Sequence, residues 1–374
     1  MSRRAPVKTA GPPKPAMADR LRRCRDLIAE AGLDALMVSD GHDVRYLSGF
    51  RGEDATLVVS RDVALICTDS RYWPQVRGEV AGFELVKTRG DLTSETAAAT
   101  AAHLGPAAAL GFQGTHLSYA GYRRLRRRHD GRLRDLRRRV SRLRAVKDAY
   151  EIEQMRRAAA VTDDALQAVT LQGLAGRTEA EVAWALQSAF RRLGAEGEAF
   201  PAIVAAGDHA AHGHALPGNR VIAAGELVVI DTGARVNGYC SDITRTFAAG
   251  EPTSELREMY ALVLDAQMAG LAAVRSGAHG RDDVDAACRR VIASGGHADD
   301  FGHGTGHGVG LEIHEAPDLG STRGDVLRTG MVCTVEPGIY VEGVAGVRIE
   351  DTVLVTEDGC ERLTTHAKDL QVLD

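Results

Sequence analysis

The chain has 374 residues, 44 % of them hydrophobic and 26 % charged, ordinary globular values that exclude a collagen-like, disordered or membrane-spanning protein. At roughly 100–200 residues per domain this length suggests two domains, with a core large enough to fold without disulfide staples. With 46 Lys and Arg against 51 Asp and Glu the net charge is −5, so no global basic field asks for nucleic acid, and a nucleic-acid partner is not expected.

Residues 1–16 carry Arg3, Arg4, Lys8 and Lys14 among four prolines. They contain no apolar run of the kind a signal peptide requires, and too little apolar surface to offset the entropy of ordering. They read as a disordered tail of a cytoplasmic protein, with the folded chain beginning at Met17. Leu21, Cys24, Leu27, Ile28 and Ala31 then follow helical spacing up to Gly32, a residue suited to a helix C-terminus. Short apolar runs at 35–38, 56–60, 63–67 and 83–86 read as strands, and 70–78, 94–103 and 119–128 as helices. Residues 17–144 therefore form an α/β domain.

Residues 122–147 hold thirteen Lys or Arg against two Asp. Leu125, Leu133, Leu136, Val140 and Leu143 partly keep helical spacing, so the arginines read as the solvated side of amphipathic segments that join two domains. The other reading, a patch for nucleic acid or an acidic partner, is weakened by the scarcity of aromatic residues, since only Tyr122 and Tyr150 flank the run. From residue 145 onward, helical patterns at 149–171, 179–193, 254–274 and 281–294 alternate with β-rich runs. The six cysteines, Cys24, Cys67, Cys240, Cys288, Cys333 and Cys360, form no CxxC pair. They read as reduced, mostly buried thiols.

The second half repeats itself. Gly225 opens an apolar run ending in Asp231 and Gly233; Gly330 opens another ending in Glu336 and Gly338. Each is followed by a further acid that begins a β-branched run, Asp242 in one and Glu350 in the other, at offsets of 105 and 108 residues. Two related units of about a hundred residues are implied. Carboxylates ending apolar strands are costly unless compensated, and four converging across a pseudo-twofold would repel by several kcal/mol. Two divalent cations would neutralise them, and oxygen ligands suit Mn(II) or Mg(II). An imidazole would bias such a site toward a transition metal, and the stretch from His303 through His307 to His314 offers one. Its glycines at 304, 306, 308 and 310 disfavour a helix and let backbone approach a ligand closely.

Asp231 and Asp242 in IDTGARVNGYCSDITRTF, His307 in GHGTGHGVGLEIHE, Glu336 in VEPGIY and Glu350 in GVRIEDTVLV resemble the five-ligand signature of the pita-bread metallopeptidases. Within that family the chain is similar to the Xaa-Pro branch, aminopeptidase P and prolidase. VRYLSGF at 44–50 and TDSRY at 68–72 resemble its creatinase-type N-terminal domain. The resemblance implies a creatinase-like α/β domain over 17–144 and an α+β pita-bread catalytic domain over 145–374 with an internal pseudo-twofold repeat. It implies two divalent ions, Mn(II) first, with Co(II), Zn(II) or Fe(II) as substitutes, that together lower the pKa of a shared water. Asp231 would chelate one ion, Asp242 and Glu350 would bridge, His307 would complete the other, and Glu336 would serve as ligand and proton acceptor.

Around these ligands, His214 is expected to donate to the developing oxyanion, with His209 and His212 as neighbours that could be mistaken for it. His314 would contact substrate or shuttle the proton. Arg348, two residues before Glu350, would share its strand face and hold a substrate carbonyl or carboxylate. Tyr340 is a weaker candidate beside them. The expected activity is cleavage of the first bond of Xaa-Pro peptides by a homodimer, with a broader dipeptidase or a non-catalytic binding module as alternatives. Methionine aminopeptidases generally lack the N-terminal domain, and creatinase works without metal; both resemblances fit this chain less well.

Overall fold

The computed structural model describes residues 11–320 and 322–373. The chain divides into two compact units between Arg144 and Ala145. Residues 1–10 of the expected tail lie outside the described residues. The rest of that expectation needs correction, because the first helix spans Lys14–Glu30 and so begins three residues ahead of Met17. Pro15 sits in the first turn, where its missing N–H would have no helical partner anyway.

In the N-terminal unit, β1 (Ala35–Val38), β2 (Thr56–Ser60), β3 (Ala64–Thr68), β4 (Glu84–Lys87), β5 (Leu110–Phe112) and β6 (Leu133–Asp135) form one sheet in the order β4-β3-β2-β1-β5-β6. The β1–β2 and β2–β3 pairs are antiparallel, while β3–β4, β1–β5 and β5–β6 are parallel. The strands are short, and β1 and β2 are buried along their whole length, as continuous apolar runs of a covered sheet should be. A helix at Gly41–Ser48 has no counterpart in the sequence reading. Asp40 caps it by accepting from the backbone N–H groups of His42 and Asp43, and Gly49 ends it at φ 75°, a left-handed conformation that glycine takes at no steric cost.

The arginine-rich stretch forms separate segments, as expected, but its arginines are not all on a solvated side. It contains the helix Tyr119–Arg128, with Gly121 and Leu125 buried, then the edge strand β6, then a short turn at Ser141–Arg144. Arg132 and Arg134 do not simply face water: they donate to the carbonyls of Gly32 and Ala31 at 2.6 and 2.5 Å, satisfying groups at the end of the first helix. Arg144 is buried against Asp43, and Lys147 is buried 2.7 Å from Glu315. Both charges leave the solvated face because each finds a buried carboxylate.

The second unit contains β7 (Gly197–Glu198), β8 (Ile203–Ala206), β9 (Glu226–Thr232), β10 (Ala234–Val236), β11 (Tyr239–Cys240), β12 (Ile243–Ala249), β13 (His307–Gly308), β14 (Glu315–Asp318), β15 (Val332–Val335), β16 (Gly338–Val341), β17 (Ala345–Arg348), β18 (Asp351–Val355), β19 (Cys360–Arg362) and β20 (Val372–Leu373). Its two larger sheets run β20-β12-β9-β8 and β14-β13-β15-β18-β19. At the centre of each is an antiparallel pair, β9 with β12 and β15 with β18. Between the members of each pair lies a hairpin, β10–β11 in the first and β16–β17 in the second. The repeat in sequence is thus a repeat in topology.

Each half has its own apolar packing. Helices Ala149–Thr170 and Glu179–Arg192 bury Ala158, Leu166, Val182 and Phe190 with Val228, Ile230 and Phe247 of the first sheet. Helices Ser254–Ala273 and Ala286–Ser294 bury Val263, Ala266, Cys288 and Ile292 with Val335 and Val353 of the second. The helix expected over 281–294 opens as a wider π-turn at Gly280–Asp285 before becoming α-helical. Five of the six cysteines are buried and Cys360 is half-buried, all of them free. No helix among the described residues is long and apolar enough to cross a membrane.

Candidate metal centre and active-site cleft

Asp231 is the last residue but one of β9, and Asp242 immediately precedes β12, which pairs with it so that Thr244 faces Asp231. In the second half Glu336 immediately follows β15 and Glu350 immediately precedes β18. Antiparallel pairing therefore brings two acids to one end of each central strand pair. The expectation that Arg348 and Glu350 share a strand face is corrected here: β17 ends at Arg348, and Ile349 and Glu350 turn the chain into β18. Their proximity comes from that turn, not from strand alternation.

His307 comes from the glycine-rich stretch, where a Cβ on Gly306 would collide with the Thr334 carbonyl and one on Gly308 with Ala316. The glycines let this strand lie directly against its neighbours. The His307 N–H donates to Thr334 Oγ1 at 3.0 Å, and Nδ1 lies 3.1 Å from the Gly308 carbonyl. Because a carbonyl only accepts, the proton sits on Nδ1 and the Nε2 lone pair is left for a cation. Nε2 is 3.6 Å from Asp242 and 3.3 Å from Glu336. One ligand atom each from Asp242, His307 and Glu350 lie within 4.8 Å of one another.

All five candidate ligands line one cleft of about 840 Å³, together with His214, His303, His314, Tyr340 and Arg348. Burial, reinforced by the charges of Glu350, Asp231 and Glu336, pushes the Asp242 carboxyl well above its ordinary range. Burial with the charges of Glu336 and Asp231 does the same to Glu350. Burial also raises Glu336, against the opposing pull of His303 and Arg348, and lowers His307. Asp231 Oδ1 is buried with no hydrogen-bond partner. Crowded acids, an orphaned carboxylate oxygen and an imidazole lone pair are the donor set of a divalent-cation site, so these residues fit the ions that the sequence implies.

A second set of side chains holds the ligands. Thr244 Oγ1 donates to Glu350 Oε2 at 2.7 Å, and Thr334 Oγ1 donates to Glu336 Oε1 at 3.0 Å. Arg348 is buried, and its donors are spent within the protein: Nη2 on Asp231 Oδ2 at 2.6 Å, Nη1 on the Tyr340 hydroxyl at 2.7 Å, and Nε on Thr244 Oγ1 at 3.1 Å. Its contacts are therefore those of a group that positions Asp231, where a substrate anchor was expected. His303 gives Nδ1–H to the Gly304 carbonyl at 2.8 Å, so its Nε2 accepts from the Tyr340 hydroxyl at 2.9 Å. Arg289 donates to the carbonyls of Phe301 and His303 and pairs with Asp285, which in turn accepts from Thr305 N at 3.0 Å. This clamp shapes the loop leading to His307.

His214 lines the cleft and is exposed. His209 is tied instead to the buried Glu179, 2.9 Å from its Oε1. The same carboxylate accepts from the N–H groups of Ala206 and Gly218 at 3.0 and 3.3 Å, closing the loop that carries His214. His212 is exposed and is absent from the lining. The His314 ring meets His307 edge to face, centroids 4.3 Å apart. Thr334 was legible in principle, since it lies two residues before the acid it holds, whereas Thr244 holds an acid 106 residues away and carries no local signal. Asp285 and Arg289 carry no local signal beyond an i,i+4 charge pair on a helix.

A paired-carboxylate site with an imidazole, set in the cleft of a duplicated α+β unit, has the donor set of a metal-dependent enzyme. Residues 153–357 match metallopeptidase family M24, and residues 20–146 match the creatinase/prolidase N-terminal domain. The Xaa-Pro dipeptidase of Pyrococcus furiosus is 35 % identical over 95 % of this chain and 100 % of that protein. The structure of an Xaa-Pro dipeptidase from Bacillus anthracis superposes with a TM-score of 0.92 at 38 % identity, covering 96 % of this chain and 100 % of that one. An X-Pro aminopeptidase from Thermotoga maritima gives 0.87 at 35 % identity, over 95 % and 100 % of the two chains. The chain belongs to metallopeptidase family M24, in its prolidase branch, with a creatinase-like N-terminal domain and a pita-bread catalytic domain.

Proposed function

We propose that this enzyme cleaves the first peptide bond of Xaa-Pro peptides, as a dipeptidase, with two divalent ions held by Asp231, Asp242, His307, Glu336 and Glu350. The observation that carries this reading is the convergence of all five side chains on one cleft that leaves Asp231 Oδ1 buried and unpartnered. When bound, such ions supply a water of lowered pKa and polarise the scissile carbonyl; Mn(II) suits the oxygen-rich set. Glu336, raised by burial, takes the proton of the attacking water in this reading. His214 donates to the developing oxyanion, and His314 contacts the substrate and returns the proton to the leaving imide nitrogen. Arg348 fixes Asp231 and does not bind substrate directly. Phe200, Ile203, Leu216 and Ile313 give the cleft an apolar lining that suits a proline ring.

The testing experiment is hydrolysis of Ala-Pro, Ala-Pro-Ala and Ala-Ala after chelation, with and without added Mn(II). Metal-dependent cleavage with Ala-Pro at least as good as Ala-Pro-Ala is expected. Preference for Ala-Pro-Ala would move the assignment to an aminopeptidase, and equal rates on Ala-Ala would indicate the broader dipeptidase. Changing His214 to Ala should leave metal bound and lower the rate by roughly a hundredfold to a thousandfold. Full rate in that variant would remove His214 from the mechanism. We place the enzyme in the cytoplasm as a homodimer, which a sedimentation measurement would check.

A further inference from the structure

The loop that brings His214 to the cleft is tied down by a carboxylate that the hydrolytic reading leaves unused. Glu179 is fully buried at the first position of the helix Glu179–Arg192 and is not part of the cleft lining. Its Oε1 accepts from the Ala206 N–H at 3.0 Å and from His209 Nδ1 at 2.9 Å, and its Oε2 accepts from the Gly218 N–H at 3.3 Å. These donors are the start, the first turn and the end of one loop. The backbone of the same helical turn adds two ties, because Glu179 N donates to the Arg220 carbonyl at 3.1 Å and Ala180 N to the Gly218 carbonyl at 3.0 Å.

Of that loop, Ala211, Gly213, His214 and Leu216 line the cleft, and His214 is the one among them with a hydrogen-bonding side chain. His212, His214 and Leu216 are exposed, so burial of their own side chains does not fix them. The hold of Glu179 reaches them through rings and backbone. His209, fixed on the carboxylate, meets the His212 ring edge to face with centroids 5.6 Å apart, and the His212 carbonyl accepts from Ala215 N at 3.0 Å. On the other side, a Cβ on Gly346 would collide with the Ala210 carbonyl, so the β16–β17 hairpin lies directly against the turn at Gly207–Ala211. A buried carboxylate is costly unless its acceptors are filled. Here one loop fills them.

We infer that Glu179 is a positioning residue for hydrolysis: by tying both ends of the 206–218 loop and its His209, it sets where the His214 ring stands in the cleft. The inference rests on the Xaa-Pro peptidase reading and, within it, on His214 as the oxyanion donor. Displacing a group of that kind by about 1 Å costs up to about a hundredfold in rate.

The experiment is a double-mutant cycle on kcat for Ala-Pro in the metal-loaded enzyme, with E179Q, H214A and the two combined. Glutamine keeps an oxygen for Ala206 and His209 but turns an N–H toward the Gly218 N–H, loosening the far end of the loop. E179Q should keep the wild-type metal content and lower kcat by about tenfold to a hundredfold. In the H214A background the same change should cost about twofold or less, since two residues acting through one group are not additive. H209A should show the same coupling with a smaller loss, and it carries the test if E179Q does not fold. Equal losses from E179Q in both backgrounds, an unchanged kcat in E179Q, or a loss matched by lost metal overturns the inference while leaving Ala-Pro cleavage standing. A wild-type rate in H214A alone overturns the role given to His214, and failure of the metal-loaded enzyme to cleave Ala-Pro overturns the peptidase reading; the inference falls with either.

Discussion

The two halves of the catalytic unit differ in how they support the acids they share. In the first, β9 and β12 are seven residues each and pair along their full length, and the intervening β10–β11 hairpin contributes nothing to the cleft lining. In the second, β15 and β18 are shorter, at four and five residues, and the β16–β17 hairpin delivers Tyr340 and Arg348 into the cleft. Support then crosses between halves. Arg348 of the second half holds Asp231 of the first, and Thr244 of the first holds Glu350 of the second. Duplication explains why there are four carboxylates. The cation and hydroxyls that orient them were not duplicated in place, so neither half forms a complete site alone.

The largest effect should come from removing an acid at the junction of the halves. Asp242→Ala and Glu350→Ala should each abolish metal occupancy and peptide hydrolysis together, read by elemental analysis and an Ala-Pro assay. Metal retained at the wild-type level in either variant would show that the two halves do not share their ions. Next in size is the cross-half ion pair. Replacing Arg348 by Met leaves Asp231 with a buried charge and should destabilise the metal-free protein by about 3–5 kcal/mol in urea unfolding; a loss below about 1 kcal/mol would mean the pair is not what joins the halves.

The two threonines should differ in the same sense. Thr244→Val and Thr334→Val should each weaken metal binding by about tenfold to a hundredfold in a chelator competition. Thr244→Val should be the more severe, since that hydroxyl also accepts from Arg348 and so serves both halves. A larger loss from Thr334→Val would reverse that assignment.

The smallest effect concerns protons. Asp242, Glu336 and Glu350 are all raised, first by burial, so the metal-free folded protein binds more protons than the unfolded chain just above the ordinary carboxylate range. Stability contributed by their neutral forms is complete below the unfolded pKa and is lost as pH rises through the raised values. The metal-free protein should therefore gain in Tm, relative to the metal-loaded one, between about pH 8 and about pH 5. Parallel Tm profiles for the two forms would contradict the carboxylate crowding.

The candidate ligands were legible from sequence because a duplicated pattern of glycine, apolar run and acid is long and specific. The strands β1 to β4 were legible as apolar runs between turn residues, to within a residue, whereas β5 and β6, three residues each, are too short to show a strand pattern. The helix Gly41–Ser48 was not, because eight residues are too few to show a helical period beside the strand-like VRYL run. The arginine-rich stretch misled for a related reason. Its partly helical spacing spans a helix and the edge strand β6, and nothing local shows that Arg144 would be buried on Asp43, 101 residues away. Arg348 was placed in the cleft correctly, but its partners Asp231 and Thr244 lie 117 and 104 residues distant. A side chain's own donors cannot be assigned until such long-range partners are known.

The central claim is that the acids of the two halves, with His307, hold two ions that are required for hydrolysis. Chelated protein titrated with Mn(II), following bound metal per chain and Ala-Pro hydrolysis in the same samples, tests it most directly. The metal-free protein should be inactive, with full activity reached as two ions bind per chain. Full Ala-Pro hydrolysis with metal analysis showing none bound would contradict it.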